Sequence, residues 1–383
     1  MQQTYLDNAA TSFPKAPGTG SAMARYVERI GANINRSTYQ KATDAAAVVL
    51  DTRTQLKTLF HFGEPENRVV FTPGATAGLN MLLKGFLLPG DHVIVSSMEH
   101  NAVMRPLTEL GEKGVTFSRI PADRHGCTDP ADLLPLIRPD TKLVLVSHAS
   151  NVSGTVFPLG AVAELCRKRG IPLAVDGAQT AGHLDIDFEG LGLSALCVPG
   201  HKGLLGPQGI GAVLMSESFA KTLRPLITGG TGSASDSETQ PDYLPDKFES
   251  GTQNLPGIFG LHAALTFVME QGTDALHAHE MELTERLLDG IADLPVRIAG
   301  LPNTAGRVGV VSLDFPELDN GDAAYRLETE YGILTRCGLH CAPNAHRTLD
   351  TFPQGTVRLS VGYATSPEDI DRAVAAVRAL CGR

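Results

Sequence analysis

The stretch Ala195-Leu196-Cys197-Val198-Pro199-Gly200-His201-Lys202-Gly203-Leu204-Leu205-Gly206-Pro207 joins a short apolar run to a glycine-rich bend. The apolar run predicts a buried strand, and the bend after it carries His201 and Lys202. Glycines have no side chains, so a ligand can approach this lysine closely. Removal from water lowers the basicity of an ammonium group, and a neutral lysine can form a Schiff base. A surface lysine in an ordinary turn is the alternative, so the rest of the chain decides.

Short β-branched runs alternate with longer helical stretches on both sides of this bend. The predicted strands are Arg68–Thr72, His92–Ser97, Thr116–Ile120, Lys142–Ala149, Pro172–Gly177, Ala195–Val198 and Gly211–Met215. The predicted helices lie near Ser21–Ile30, 43–60, 76–86, 101–113, 129–138 and 159–169. Such alternation predicts an α/β fold in which helices cover a large, mostly parallel sheet. Ligands of these sheets bind beyond the carboxyl ends of the strands.

The chain is predicted to divide into an N-terminal segment, a large domain and a smaller C-terminal α/β domain, with the boundaries 1–20, 21–255 and 256–383. The N-terminal segment is expected to pack on the small domain. Polar loops are predicted at Asn33–Ser37 and at 227–254, and a loop as long as the second is usually functional or shields an interface. The small domain is predicted from helical residues 257–294 and from strands at 308–315, 333–336 and 356–362.

Composition excludes several classes of protein. The 383 residues are 42% hydrophobic and 19% charged, as in globular proteins with a large core. The formal net charge of −10 lacks the basic footprint of a nucleic-acid-binding protein. No apolar run reaches the length of a membrane span, and the N-terminus shows no secretory signal. The six cysteines form no disulfide framework, so a reduced, cytoplasmic location is predicted.

Three polar motifs follow predicted strands of the large sheet. Pro73–Gly78 opens a helix, where free backbone N–H groups and the Thr76 hydroxyl are expected to bind an anion. His100 follows the next strand and would stack on a flat ligand or carry protons. Asn151 follows a third strand and offers an amide to an aromatic oxygen. Each motif alone also fits a structural role.

A fourth motif, Val175–Gln179, makes the combination specific. Asp176 ends an apolar strand, where a carboxylate is costly to bury unless it meets a cation or a donor. A protonated pyridine nitrogen would satisfy it, and Gln179 would then donate to the phenolic oxygen of the same ring. An anion site, a carboxylate, a ring-facing histidine and Lys202 together meet the requirements of pyridoxal 5′-phosphate.

On these residues the chain resembles the class V aminotransferase family, and within it the Suf-type cysteine desulfurases and selenocysteine lyases. The motifs that carry the resemblance are Tyr5–Thr11 (YLDNAAT), Glu99-His100-Asn101, Val175–Gln179 (VDGAQ), Gly200-His201-Lys202, Glu249–Asn254 (ESGTQN) and Arg336–Pro343 (RCGLHCAP). They span nearly the whole chain in the family's order. The resemblance implies fold type I of the pyridoxal-phosphate enzymes and a homodimer with shared active sites.

The resemblance also implies roles for single residues. Lys202 would hold the cofactor and remove the substrate Cα proton, Asp176 would keep the ring nitrogen protonated, and His100 would stack on the ring. Gln179 and Asn151 would reach the ring oxygen and the region of the substrate carboxylate.

Five further residues complete the cofactor and substrate contacts that the resemblance implies. Ala75, Thr76 and His201 would bind the phosphate, joined by Thr252 from the second subunit. Arg358 would bind the substrate carboxylate, because its planar fork matches that group.

Cys341 matches the essential cysteine of the desulfurases and would take the sulfur of L-cysteine as a persulfide, leaving L-alanine. An ordinary cysteine has a pKa of about 8.5, so nearby cations would have to lower it. Arg336, His340, His346 and Arg347 are sequence neighbours that would serve. A protein that accepts the sulfur is expected as a further partner.

Two positions depart from the family pattern. Pro199 stands where many relatives have a phosphate-binding serine, and Ala75 stands where a second hydroxyl is frequent. Both changes affect the phosphate site only.

Several alternatives remain open from the sequence. A selenocysteine lyase would need the same lysine and cysteine. Transamination, epimerisation or C–S lysis without a persulfide, and a scaffold that only passes sulfur on, are the other readings. A metal site that joins Cys337, Cys341, His340 and His346 matches no common zinc spacing, so no metal is predicted.

Overall fold

The computed structural model describes residues 2–34 and 39–382. Residues 35–37 of the predicted polar loop, and the terminal residues Met1 and Arg383 of the predicted segments, lie outside these ranges. The strands, in chain order, are β1 (Thr4–Tyr5), β2 (Val69–Thr72), β3 (His92–Ser96), β4 (Thr116–Ile120), β5 (Thr141–Ser147), β6 (Leu173–Asp176), β7 (Ala195–Pro199), β8 (Gly211–Met215), β9 (Arg297–Ile298), β10 (Val310–Asp314), β11 (Ile333–Leu334), β12 (Arg336–Gly338) and β13 (Thr356–Ser360).

The helices, in the same order, are α1 (Thr19–Arg25), α2 (Gln40–Leu59), α3 (Ala75–Phe86), α4 (Asn101–Gly111), α5 (Leu159–Arg169), α6 (Phe188–Leu191), α7 (Glu217–Thr222), α8 (Leu255–Gln271), α9 (Thr273–Ile291), α10 (Asn320–Tyr331), α11 (Pro343–Thr348) and α12 (Pro367–Leu380). A π-helical turn over Tyr26–Ile30 continues α1, and short 3₁₀ helices cover Glu66–Arg68 and Pro130–Leu136.

Within the described residues, seven strands form the large sheet in the order β2-β8-β7-β6-β5-β3-β4. β8 runs antiparallel to both of its neighbours, and the remaining pairs are parallel. The strands are apolar because both faces of the sheet are covered. Val93 and Val95 face the core beneath α3 and α4, whereas Ile94 faces the core beneath α2, α5 and α8. The predicted α/β class with a mostly parallel sheet is confirmed.

One predicted helix is wrong in form, and one predicted helical region is divided into two helices. Residues 129–138 were expected to form one α-helix, but the structure has a 3₁₀ helix over Pro130–Leu136. Pro130 and Pro135 remove backbone donors, which favours a short 3₁₀ segment. The helical region 257–294 is two helices, α8 and α9, which Gly272 separates at a φ of 81°. Strand ends differ from the expected ones by one or two residues.

The shared direction of the parallel strands brings their carboxyl ends to one edge of the sheet. Asp176 is the last residue of β6, and Lys202 lies three residues after the end of β7, its direct neighbour. β2 has the same direction as β7 because both are antiparallel to β8. Its end therefore places the start of α3 at the same edge.

A second sheet, in the order β12-β13-β10-β9, is antiparallel and packs with α9, α10 and α12 around its own apolar core. The N-terminal segment reaches this part of the molecule, since β1 pairs with β11 and Asp7 forms a bridge with Ser360. The domain boundaries at residues 20 and 255 stay a prediction.

Candidate active site

A cavity of about 420 Å³ opens at the carboxyl edge of the large sheet. We call it the lysine cavity. It collects eight residues predicted for the site, together with the divergent Pro199: Ala75, Thr76, His100, Asn151, Asp176, Gln179, His201 and Lys202. Residues from five separate strand ends therefore meet around one space.

The start of α3 forms one wall of the lysine cavity. Gly74 precedes the helix with a φ of 154°, and its carbonyl accepts from Ala77 and Gly78. The first N–H groups of a helix have no partner within it, and the helix dipole adds positive potential there. The Thr72 hydroxyl donates to the Gly74 carbonyl at 3.0 Å and therefore does not cap these N–H groups. The start of α3 is thus chemically suited to an anion.

Asp176 and Lys202 form the charged centre of the lysine cavity. Asp176 is 5% exposed, and its carboxylate accepts a bond of 2.9 Å from the Ala178 N–H. Burial raises the pKa of Asp176 despite this bond and the charge of Lys202. Burial also lowers the pKa of Lys202 to about 8, although Asp176 opposes the change. A buried carboxylate with one hydrogen-bond donor suits a protonated ring nitrogen.

His100 faces the lysine cavity as a neutral imidazole. Burial, followed by the charge of Lys202, lowers its pKa to about 4. Its Nδ1 accepts the Ala102 N–H at 3.0 Å and so caps α4. The proton of the neutral ring therefore resides on Nε2, which can donate to a ligand.

The turn that carries Lys202 is held by the N-terminal segment. The carbonyl of His201 accepts from the Ser12 N–H at 3.0 Å and from Lys15 Nζ at 2.8 Å. Gly203 is required on the other side, since an added Cβ would lie 2.3 Å from the Ala181 oxygen. These contacts fix the peptide that precedes the lysine.

The two predicted amides also make contacts within the protein. Gln179 Nε2 donates to the Ala9 carbonyl at 3.1 Å. Asn151 Nδ2 donates to the His340 carbonyl at 2.7 Å. One amide hydrogen of each side chain is thus used by the fold, and the roles of both residues toward a ligand stay predictions.

Arg358 lies on β13 and reaches the site from the second sheet. It is 2% exposed and bonds Asp7 at 2.9 Å and the Asn151 carbonyl at 3.0 Å. Its Nε is buried without a hydrogen-bond partner. A buried guanidinium donor that lacks a partner suits a carboxylate ligand.

Cys341 is exposed within the segment Gly338–Ala342, which we call the cysteine loop, whereas His340 and Ala342 of the same loop are buried. His340 and Cys341 both have left-handed backbones, with φ of 47° and 58°. Such conformations are costly for residues other than glycine and often mark functional positions. The Cys341 carbonyl accepts the Asn101 N–H at 2.7 Å, next to His100. Two bonds, from Asn151 and Asn101, thus attach the loop to the large sheet.

The histidines near Cys341 are not the expected cations. Burial lowers the pKa of His340 to about 2 and that of His346 to about 4. Both rings are therefore neutral at physiological pH and cannot stabilise a thiolate by charge. Arg347 stacks on Phe352, 4.0 Å from the ring centroid.

Two further predictions concern Cys337 and Thr252. Cys337 is exposed on β12, and strand alternation directs it away from the face of Arg336. Within residues 2–34 and 39–382, no cluster of three histidine, cysteine or acidic side chains is able to hold a metal.

Thr252 is exposed and does not line the lysine cavity of its own chain. Its assignment to a partner's site stays a prediction.

Sequence reasoning assigned no role to two residues of the site, Asn80 and Glu99. Asn80 lines the lysine cavity one helical turn after Thr76, a spacing that the α3 pattern contains. Glu99 is fully buried and accepts from the hydroxyls of Ser96 and Ser147, at 2.6 and 2.8 Å. It ties the ends of β3 and β5 together, a contact that sequence spacing does not reveal.

The described part of the chain has no helix long and apolar enough to cross a membrane. A family model described as aminotransferase class-V matches residues 4–373. A cysteine desulfurase from Klebsiella pneumoniae is 32% identical, over 98% of this chain and 93% of that protein. A Xylella fastidiosa protein named "Probable cysteine desulfurase" is 34% identical, over 99% of this chain and 91% of its own length.

Solved structures agree with these matches. A cysteine desulfurase from Thermococcus onnurineus has a TM-score of 0.92 and 29% identity, and covers 99% of this chain and 95% of that one. A cysteine desulfurase from Escherichia coli has a TM-score of 0.87 and 28% identity, with coverage of 98% and 94%. The fold and family expected from the sequence are confirmed. The chain belongs to the class V aminotransferase family of enzymes.

Proposed function

We propose that this protein is a pyridoxal-phosphate-dependent cysteine desulfurase, which converts L-cysteine to L-alanine and takes the sulfur as a persulfide on Cys341. The observation that carries the proposal is the position of Cys341. The cysteine loop is bonded to Asn151, which lines the lysine cavity, and to Asn101, which directly follows His100 of that cavity. The names of the relatives support the same reaction.

The residues of the lysine cavity fit the cofactor that this family implies. Lys202 would hold it covalently, Asp176 would pair with its ring nitrogen, and His100 would cover the ring. The start of α3, with Ala75 and Thr76, would hold the phosphate. His201 and a partner subunit's Thr252 would add donors to the same group.

Bound pyridoxal phosphate supplies an electron sink for the bonds at the substrate Cα. Arg358 orients the substrate through its carboxylate, and Lys202 Nζ takes the Cα proton, since its lowered pKa leaves part of it neutral. His100 Nε2–H is placed to donate a proton. The Cys341 thiolate would attack the substrate sulfur, and the carbon–sulfur bond would break with its electron pair left on the substrate Cβ. That carbon takes a proton and becomes the methyl group of L-alanine, and the sulfur remains on Cys341 as the persulfide.

The proposal also includes a homodimer, a sulfur acceptor, and a preference for L-cysteine over L-selenocysteine as the substrate. Lys202 and Cys341 have different roles in this proposal, so each residue provides a separate test. Lys202 is required for every reaction of this cofactor here, whereas Cys341 is required only for sulfur transfer to the protein.

The deciding experiment incubates the purified holoenzyme with L-cysteine and, separately, with L-selenocysteine. Alanine, sulfide or selenide, and the mass of the Cys341 peptide are measured. We expect alanine from L-cysteine and one added sulfur on Cys341. Cys341→Ala should lose turnover, while Cys337→Ala, which changes an exposed cysteine on the other face of β12, should retain it. Full turnover by Cys341→Ala would disprove the persulfide mechanism.

A further inference from the structure

A second cavity, of about 320 Å³, adjoins the lysine cavity on the side of Cys341. We call it the outer cavity. The two cavities share four lining residues, and the outer cavity adds others from α4 and the cysteine loop. Its complete lining is Thr76, Asn80, His100, Asn101, Ala102, Arg105, Pro106, Glu109 and Cys341. Cys341 lines the outer cavity and not the lysine cavity.

The charges that line the outer cavity are not balanced. Glu109 is neutralised by Lys84 at 2.6 Å and by Lys113 at 3.2 Å. Arg105, one turn earlier on α4, makes no hydrogen bond or ion pair with any described residue. The outer cavity therefore presents one unpaired guanidinium beside the thiol of Cys341.

The field of Arg105 reaches into the site. Its charge contributes, after burial, Lys202 and Arg358, to the lowered pKa of His100. Asn80 adds a neutral polar group to the same wall, with its amide bonded to the Thr76 carbonyl at 2.9 Å. A guanidinium that has no internal partner is suited to bind a carboxylate.

We propose that the outer cavity binds a small thiol that carries a carboxylate, as a sulfur acceptor distinct from the acceptor protein that the resemblance implies, with Arg105 holding the carboxylate and Cys341 delivering the sulfur. The volume is that of a small-molecule site. This inference rests on the proposed function, because it takes the Cys341 persulfide as its starting point.

The transfer is a balanced thiol–persulfide exchange. The acceptor thiol loses its proton to solvent, and the thiolate attacks the outer sulfur of the Cys341 persulfide. The sulfur–sulfur bond breaks, Cys341 leaves as a thiolate, and the acceptor becomes a persulfide. No external oxidant or reductant is needed.

The first test requires no turnover. The Cys341 peptide is followed by mass spectrometry during alkylation with iodoacetate, an anion, and with iodoacetamide, its neutral analogue. Arg105→Gln should lower the iodoacetate-to-iodoacetamide rate ratio about threefold at low salt. Arg105→Lys should keep most of the ratio, and Arg169→Gln, an exposed arginine at the end of α5, should keep all of it. Arg358 also interacts electrostatically with Cys341, so only the change with Arg105→Gln is diagnostic. An unchanged ratio would refute the site.

The second test uses the holoenzyme with L-cysteine and compares thioglycolate, which has a carboxylate, with mercaptoethanol, which has none. We expect wild type to discharge its persulfide to thioglycolate preferentially, and Arg105→Gln to lose that preference. Equal preference in both proteins overturns the proposal. The proposal would also be overturned if Arg105→Gln changed how the first burst of alanine depends on the L-cysteine concentration. The outer cavity would then serve substrate entry.

The two proposals fail differently. If wild type forms no alanine from L-cysteine, the proposed function is wrong, but the alkylation ratio still reports whether Arg105 attracts anions to Cys341. If alanine forms and the thiol preference does not depend on Arg105, only the acceptor site is wrong.

Discussion

The lysine cavity and the cysteine loop serve one proposed reaction but are built in opposite ways. The lysine cavity gathers groups at adjacent strand ends, where burial has moved the pKa of Asp176 upward and that of Lys202 down to about 8. In the cysteine loop the thiol of Cys341 is exposed, and both His340 and Cys341 have left-handed backbones. Strand pairing fixes the first region, whereas hydrogen bonds from the Asn101 backbone N–H and the Asn151 side chain hold the second.

This difference separates reactivity from stability. A buried charged group in the lysine cavity lowers the stability of the fold, and the same burial shifts the pKa on which its proposed reactivity depends. The exposed thiol of the cysteine loop contributes little to stability. Substitutions in the two regions should therefore affect activity and unfolding in different proportions.

The largest effect is expected for Lys202→Ala. Removal of the amine eliminates both the covalent hold on the cofactor and the base, so kcat should fall by at least about 10³-fold. The absorbance of the bound cofactor should change as well. Lys168→Ala, an exposed helix lysine paired with Glu164, is the matched control. If Lys202→Ala kept the wild-type absorbance spectrum of the bound cofactor, Lys202 would not hold the cofactor, and the proposed contrast between the lysine cavity and the cysteine loop would fail.

Asp176→Asn should separate activity from stability. Because burial raises the pKa of Asp176 above 3.8, its ionisation opposes folding, and the loss of stability grows as the pH rises through the folded-state pKa. At neutral pH, asparagine should raise the Tm of the cofactor-free protein by a few degrees and lower kcat at least about 100-fold. The gain in Tm should shrink toward acidic pH. A lower Tm at neutral pH would contradict this account.

Arg358→Lys should affect substrate binding more than chemistry. Lysine keeps the positive charge near Asp7 but loses the planar fork, so KM for L-cysteine should rise about tenfold, with a smaller change in kcat. Steady-state alanine formation measures both constants. Arg378→Lys, at an exposed ion pair with Asp293, supplies the control. A fall in kcat at constant KM would assign Arg358 a different role.

The smallest effect is expected for the stability of Cys341→Ala. The side chain is exposed, so the free energy of unfolding should change by no more than about 0.5 kcal/mol. Denaturant unfolding of the holoenzyme measures it, with Cys337→Ala alongside. A large loss would show that the thiol supports the cysteine loop, and the two regions would then differ less than proposed.

Local sequence patterns predicted much of this structure. The apolar runs predicted the strands of the large sheet because a sheet buried on both faces needs them, and the polar residues after those runs predicted the lysine cavity. The helix expected at 129–138 was wrong, because proline chemistry outweighed apolar spacing there. The histidines near Cys341 were expected to be cations, but burial keeps His340 and His346 neutral. The burial of these two rings cannot be inferred from the residues next to them in the sequence.

The sequence by itself determined the family and the sheet, and it predicted Lys202 as the reactive lysine, since each depends on local residue types at strand ends. Only the tertiary structure decided how the cysteine loop meets that cavity. The bonds from Asn101 and Asn151 to the loop, and the unpaired charge of Arg105 beside Cys341, join residues that are far apart in the chain. Such contacts depend on how helices and loops pack, which the order of residues along the chain does not display.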